Sequence, residues 1–164
     1  MKPFLIGLGT GILLLFVLIS LGVGSRAGQP LSFNHKKHQE QGIECITCHT
    51  HFKDQTFSGM PKVAVCLECH KDPITQNPEE EKIRQINKKG DEIHWNRLYQ
   101  QPDHVFFSHR RHVVLGKMEC KNCHGDIGQS KRPPSKPWVK MTMSWCMDCH
   151  AKKKVTNDCL ACHV

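Results

Sequence analysis

Aromatic residues are scarce in this 164-residue chain: seven Phe, three Trp and one Tyr, 7% in all. A chain this small buries only a limited core of its own, and with so few aromatics something besides side chains must fill its interior. No segment alternates apolar and polar residues at period two, so a sheet protein is not expected. Acidic residues are also few, 15 against 23 Lys and Arg, giving a formal charge of +8 and a pI near 9.0. Such a balance commonly marks a binder of nucleic acid or of an anionic surface. Here the basic residues are scattered and no nucleic-acid module is recognisable, so nucleic acid is not expected as a partner.

Cysteine outside one pattern is lacking altogether. All ten cysteines fall in five Cys-x-x-Cys-His motifs: Cys45-Cys48-His49, Cys66-Cys69-His70, Cys120-Cys123-His124, Cys146-Cys149-His150 and Cys159-Cys162-His163. A disulfide framework would use ten cysteines but would not place a His after every second one. Zinc sites would take two such pairs per metal, and five is odd. A thioredoxin-like motif needs one pair in a βαβ context, which is not visible. Cys-x-x-Cys-His is the attachment signature of c-type haem. The two thiols form thioethers with the porphyrin vinyl groups and the adjacent His becomes an axial iron ligand. Five covalently bound haems, with iron, are therefore expected. They also account for the charge: with two propionates each, five oxidised haems lower it by roughly 5 and five reduced ones by roughly 10.

Residues 4–23 carry no charge. About 20 apolar residues suffice to cross a bilayer as a helix, whereas the apolar part of a secretory signal is usually about 7–15. Lys2 before the segment favours a cytoplasmic N-terminus. Residues 1–27 are thus expected to be an N-terminal transmembrane anchor, the competing reading being a signal peptide cleaved near Ser25-Arg26-Ala27. Either way the rest of the chain is expected on the periplasmic, extracytoplasmic side of the cytoplasmic membrane, where c-type haem is attached in bacteria.

Residues 28–164 then hold five haems, fewer than about 30 residues each, so the haems must supply much of the apolar interior. The expected fold is mostly irregular, with short α-helices organised around the haems. One helix is well marked. Asn77 suits the cap, Pro78 the first position, Glu79, Glu80 and Glu81 the first turn, Lys88 and Lys89 the last, and Gly90 the close. Only Ile83 and Ile86 form an apolar stripe, which predicts a surface helix. Ser130 to Pro137 reads as a loop.

An internal repeat organises the rest. Phe33-x-His35-x-x-His38, Gly42 and the 45–49 motif form one copy; Phe107-x-His109-x-x-His112, Gly116 and the 120–124 motif form the other. Each is followed by a second motif. The layout is a haem pair at 31–70, a connector at 71–106, a haem pair at 107–150 and a terminal haem at 151–164.

Seven histidines lie outside the motifs: His35, His38, His51, His94, His104, His109 and His112. Five would complete bis-His ligation. His35, His38, His109 and His112 recur at equivalent positions and are the first choices, one of each pair serving its own haem and the other a neighbour. For the fifth the order is His104, then His51, then His94. Met60, Met141 and Met143 precede motifs and would raise a haem's potential if they ligated, but packing against porphyrin is the usual role of such residues.

The stretches Ile93-His94-Trp95-Asn96-Arg97, Pro102-Asp103-His104-Val105-Phe106-Phe107-Ser108-His109-Arg110-Arg111-His112-Val113, Cys120-Lys121-Asn122-Cys123-His124-Gly125 and Met143-Ser144-Trp145-Cys146-Met147-Asp148-Cys149-His150, with Gly59-Met60-Pro61, resemble a known family. The chain is similar to class III-like multihaem cytochromes c, specifically the membrane-anchored multihaem subunit of the alternative complex III and menaquinone reductase type. The resemblance implies an electron-transfer subunit working beside an integral quinone-binding subunit and an iron–sulfur/molybdopterin-like subunit, with a soluble cytochrome as a further partner.

Three functions follow from these readings. The first is a wire carrying electrons between a membrane quinone/quinol site and an extracytoplasmic redox partner, with no catalytic residues of its own. The second is a self-sufficient anchored quinol dehydrogenase. The third is a catalytic multihaem reductase, which needs an open iron position; no Cys-x-x-Cys-Lys variant is present and spare His are abundant, which disfavours it.

Overall fold

The computed structural model describes residues 28–163. The expected anchor at residues 1–27 lies outside the described residues. Among those described, no helix is long and apolar enough to cross a membrane.

The chain folds as short helices joined by irregular segments. In order they are α1 (His35–Glu40), α2 (Cys45–Cys48), a 3₁₀ turn (Thr50–Lys53), α3 (Val63–His70), α4 (Pro78–Lys88), a π-helical segment (Arg110–Leu115), α5 (Lys121–His124), a 3₁₀ turn (Ile127–Gln129), α6 (Met143–Lys153) and α7 (Cys159–Cys162). No strand forms among the described residues; a lone antiparallel bridge joins Val105 to His163. This is the short-helix, strand-free fold expected from the sequence.

Side-chain caps fix where several helices begin. Asn34 Oδ1 accepts from the Lys37 amide at 3.0 Å at the head of α1. Thr142 Oγ1 accepts from the Trp145 amide at 3.3 Å before α6, and Asp158 Oδ1 from the Leu160 amide at 2.8 Å before α7. Helix α4 starts as the sequence predicts, with Asn77 Oδ1 accepting from the Glu79 amide at 3.0 Å and Pro78 at the first position. It closes at Gly90, whose φ of 67° is costly for any residue with a Cβ. There the Gly90 amide donates to Asn87 O at 2.9 Å and the Asp91 amide to Ile86 O at 3.1 Å, the paired bonds of a Schellman close.

Three apolar side chains form the buried core of the described residues: Leu31, Val63 and Ile93. Cys66, Leu67, Ile83, Ile86 and Trp95 pack around them. The core therefore lies where α4 meets α3, and the Ile83/Ile86 stripe is the face that makes the contact. Outward-facing Glu81, Lys82 and Lys88 are exposed, and Glu81 pairs with Arg84 at 2.8 Å and Glu79 with Lys82 at 2.5 Å. Polar bonds tie down the edges of the core: the Val63 amide donates to Glu92 Oε2 at 2.9 Å and Trp95 Nε1 to Pro61 O at 3.1 Å.

Core truncation should therefore be felt here. Ile93→Ala is expected to cost about 2–5 kcal/mol, while Ile74→Ala, at a side chain 60% exposed, should change stability by under about 0.5 kcal/mol. Denaturant unfolding of the two variants checks this.

Candidate functional site

Every Cys-x-x-Cys-His motif occupies one helical turn. The His amide donates to the carbonyl of the first Cys at 2.9 Å in the motifs at 45–49, 120–124 and 159–163, and helices α3 and α6 carry the other two. One turn brings both thiols and the His to a single side, which is the geometry a shared macrocycle needs. All ten cysteines are free thiols, none joined as a disulfide. Burial, and then neighbouring thiols, push Cys48, Cys66, Cys123 and Cys146 above the ordinary thiol range, Cys66 to about 11. Protonated thiols are poor nucleophiles and poor metal ligands. Among the described residues, no group of three or more His, Cys, Asp or Glu assembles that could hold a metal ion by itself. A four-thiol zinc site is thus not built, and the donor set fits thioether attachment.

The histidines are arranged in facing twos. Ring centroids lie 6.1 Å apart for His38 and His70, 6.4 Å for His109 and His124, 6.1 Å for His112 and His150, and 5.7 Å for His104 and His163. Two imidazoles bound to one metal atom from opposite sides, with bonds of about 2 Å, have centroids about 6 Å apart. Four motif histidines therefore already face a second His at a spacing that fits a shared iron. His35 neighbours the remaining motif His: burial first, then His49 and His38, hold its imidazole down at about 4. It is thus neutral at physiological pH, the state a metal ligand requires.

Hydrogen bonds select the ring nitrogen left free. Nδ1 of His38, His49, His109, His112 and His150 faces the carbonyl oxygens of Asn34 (2.8 Å), Gly59 (2.8 Å), Thr56 (2.7 Å), Ser108 (2.8 Å) and Thr156 (2.7 Å). A carbonyl only accepts, so Nδ1 carries the proton and Nε2 keeps its lone pair for a metal.

The repeat seen in sequence is a repeat of side-chain geometry. Phe33 meets His35 edge-on at 4.7 Å and stacks on His38 at 4.3 Å; Phe107 does the same to His109 at 4.9 Å and His112 at 4.8 Å. The two copies differ at one point. The second copy has one more residue between its His pair and its first Cys, and the π winding of Arg110–Leu115 absorbs it. The left-handed turn made by Gly42 (φ 76°) is consequently made by Lys117 (φ 51°), not by Gly116.

Two histidines considered for the fifth pairing stand elsewhere. His94 has a side chain 81% exposed, with Nε2 bonded to Asp91 at 3.1 Å. His51 is exposed, shares a 3.2 Å hydrogen bond with Gln55 and lies against Gly59. Met60 and Met143 are exposed as well, at 38% and 61%.

Sequence reading missed two residues near these rings. Glu80 had the look of a helix-dipole complement, yet it turns inward and is 7% exposed. It accepts from the Thr75 hydroxyl (2.5 Å) and the Ile74 and Thr75 amides (2.9 and 3.2 Å). The Thr75 hydroxyl foremost, with those amides and His70, holds its carboxyl down at about 2. Its Oε2 lies 3.6 Å from His70 Nδ1, a buried nitrogen with no hydrogen bond. Tyr99 is the second: its ring meets His124 edge-on at 4.7 Å while its hydroxyl accepts from the Trp138 amide at 2.7 Å. Trp138 in turn lies over Gly125, where a Cβ would come within 2.4 Å of the indole.

A family model described as cytochrome c7 and related cytochrome c matches residues 105–164. The chain is also 34% identical to the multihaem cytochrome c subunit of menaquinone reductase from Nitratidesulfovibrio vulgaris (strain Hildenborough), over 99% of this chain and 88% of the relative.

The Gly125–Trp138 contact makes a separate test. Gly125→Ala should destabilise the domain by about 1–3 kcal/mol, from overpacking and from the positive φ of 63°. Adding Trp138→Ala should recover the steric part and leave the backbone part. Thermal unfolding of the single and double variants checks this; a strictly additive pair would refute the contact.

Proposed function

Because this chain belongs to the multihaem cytochromes c, we propose that it binds five c-type haems, one per motif, and works as the electron-transfer subunit of a membrane menaquinone oxidoreductase. The named role of the Nitratidesulfovibrio relative supports the complex. The observation that carries the reading is the facing histidine found opposite the motif histidines. In this reading Cys45, Cys48, Cys66, Cys69, Cys120, Cys123, Cys146, Cys149, Cys159 and Cys162 attach the haems. His49 pairs with His35, His70 with His38, His124 with His109, His150 with His112 and His163 with His104. A haem held so supplies one-electron chemistry at a potential set by its ligands and their surroundings.

The chain's own residues account for the preference for transfer over catalysis. Two opposed imidazoles leave no position for a substrate. Phe33 and Phe107 brace both rings of each His pair, so the ligands need not move between redox states. Backbone carbonyls polarise several rings weakly, whereas Glu80 places a full negative charge beside His70. That charge favours the oxidised form of the haem His70 would hold and lowers its potential relative to the others. Residues 4–23 serve as the membrane anchor, with the haem domain on the periplasmic side. The partners are an integral quinone-binding subunit and an iron–sulfur/molybdopterin-like subunit, and a soluble cytochrome is a further candidate.

Mass spectrometry of the intact chain should give five haems. His104→Ala should turn one haem of five high-spin, and His94→Ala and His51→Ala should leave every haem low-spin; magnetic circular dichroism reads this directly. Glu80→Gln should raise the potential of one haem and leave four unmoved in a spectroelectrochemical titration. For the complex, the chain should co-purify from native membranes with other subunits and be reduced by menaquinol only in their company. Menaquinol oxidation by the isolated chain would point instead to a self-sufficient dehydrogenase.

A further inference from the structure

The two repeats dock on each other reciprocally. Helix α1 lies against Ile127–Gln129, the turn that follows the third motif. The Lys36 amide donates to Ser130 O at 3.1 Å, and Gln129 Nε2 donates to Gln39 Oε1 at 3.4 Å. The equivalent segment of the second repeat, Arg110–Leu115, packs on Thr50–Lys53, the turn that follows the first motif. There His109 Nδ1 donates to Thr56 O at 2.7 Å. Each repeat thus clasps the segment just after the other's first motif. An exchange of this kind implies an approximate two-fold axis, and at such an axis equivalent residues meet each other.

The contacts at that junction belong to the first and third sites: His109, which faces His124 of the third motif, is bonded to Thr56 beyond the first motif, and Lys36, next to His35, is bonded to Ser130 beyond the third. The remaining motifs extend outward from this junction. In the first repeat Phe33 lies against both His35 and His38, and His38 faces His70 of the second motif. In the second, Phe107 lies against both His109 and His112, which face His124 of the third motif and His150 of the fourth. The surroundings of the second motif come from the first repeat and the connector: His38, Leu31 and Glu80. The fifth motif is held beside the fourth by Asn157 Nδ2 donating to Met147 O at 3.2 Å and His150 Nδ1 to Thr156 O at 2.7 Å, and is tied to the start of the second repeat by the Phe106 amide donating to Cys162 O at 2.7 Å.

We propose that the five haem-attachment sites are strung in space in the order second, first, third, fourth, fifth, so that the first and third meet at an approximate two-fold axis and the second and fifth form the two ends. This deepens the reading of the chain as a five-haem wire and rests on it. Electrons entering at one end cross from repeat to repeat between the first and third sites. They do not pass from the second site to the third, as the sequence order would have it.

Haem-to-haem nuclear Overhauser contacts in the fully reduced, haem-loaded full-length chain test the order. Single variants His35→Met, His38→Met and His109→Met assign the first, second and third haems through the displaced methionine methyl resonance. Cross-peaks are expected between the first and second haems and between the first and third, with none between the second and third. A second-to-third cross-peak, or the absence of a first-to-third one, would overturn the order. Mass spectrometry on the same sample separates the two levels of the argument. Five haems with the wrong contacts refute the order alone, and fewer than five haems refute the functional reading.

Discussion

Nearly everything in this molecule depends on holding two imidazoles about six ångströms apart, four times over, among described residues with almost no apolar core. Three buried apolar side chains cannot organise 136 residues. The histidine rings are instead placed by local devices: a phenylalanine wedged between two rings one helical turn apart, and ring N–H groups bonded to backbone carbonyls four residues back or across a loop. These devices work on a scaffold of short helices because each needs only one turn of chain. A large apolar prosthetic group then replaces the missing side-chain interior, which is how so short a chain escapes the surface-to-volume limit on small domains.

The surroundings of the motif histidines differ in kind. His49 and His150 donate to carbonyls, His70 faces a buried carboxylate, and His124 meets the edge of a tyrosine ring. Four identical attachment signatures are thereby set in three kinds of electrostatic surroundings. The carboxylate stands apart because it carries a whole charge and is itself pinned by three donors, so it neither moves nor takes up a proton across the physiological range.

The sequence made some of this legible and hid the rest for physical reasons. Thioether attachment forces two thiols and a His onto one helical turn, so the five sites read directly as motifs. The Phe-x-His-x-x-His unit shows as a repeat because its packing is local. The limits of α4 were readable at Asn77, Pro78 and Gly90 for the same reason. Glu80 was not, because three acidic residues in a first turn look alike until a loop residue, Thr75, singles one out. The one-residue difference between the copies was visible, but that a π turn would absorb it and hand the left-handed position to Lys117 was not. The docking of the repeats was hidden altogether, since it runs through Gln39, Thr56 and Ser130, side chains and carbonyls that follow no pattern.

Leu31 has a mechanical consequence. It is 4% exposed and seated against Val63 on the helix that bears Cys66 and His70, while the neighbouring Ser32 amide is tied to Glu79 at 2.7 Å. The chain therefore enters its folded domain rigidly at the second motif, with Gln29 and Gly28 also bonded to Asn96. A pull applied at Gly28 would therefore be borne first by Asn96, Leu31 and the Ser32–Glu79 bond, beside the second motif, before it reached the second repeat.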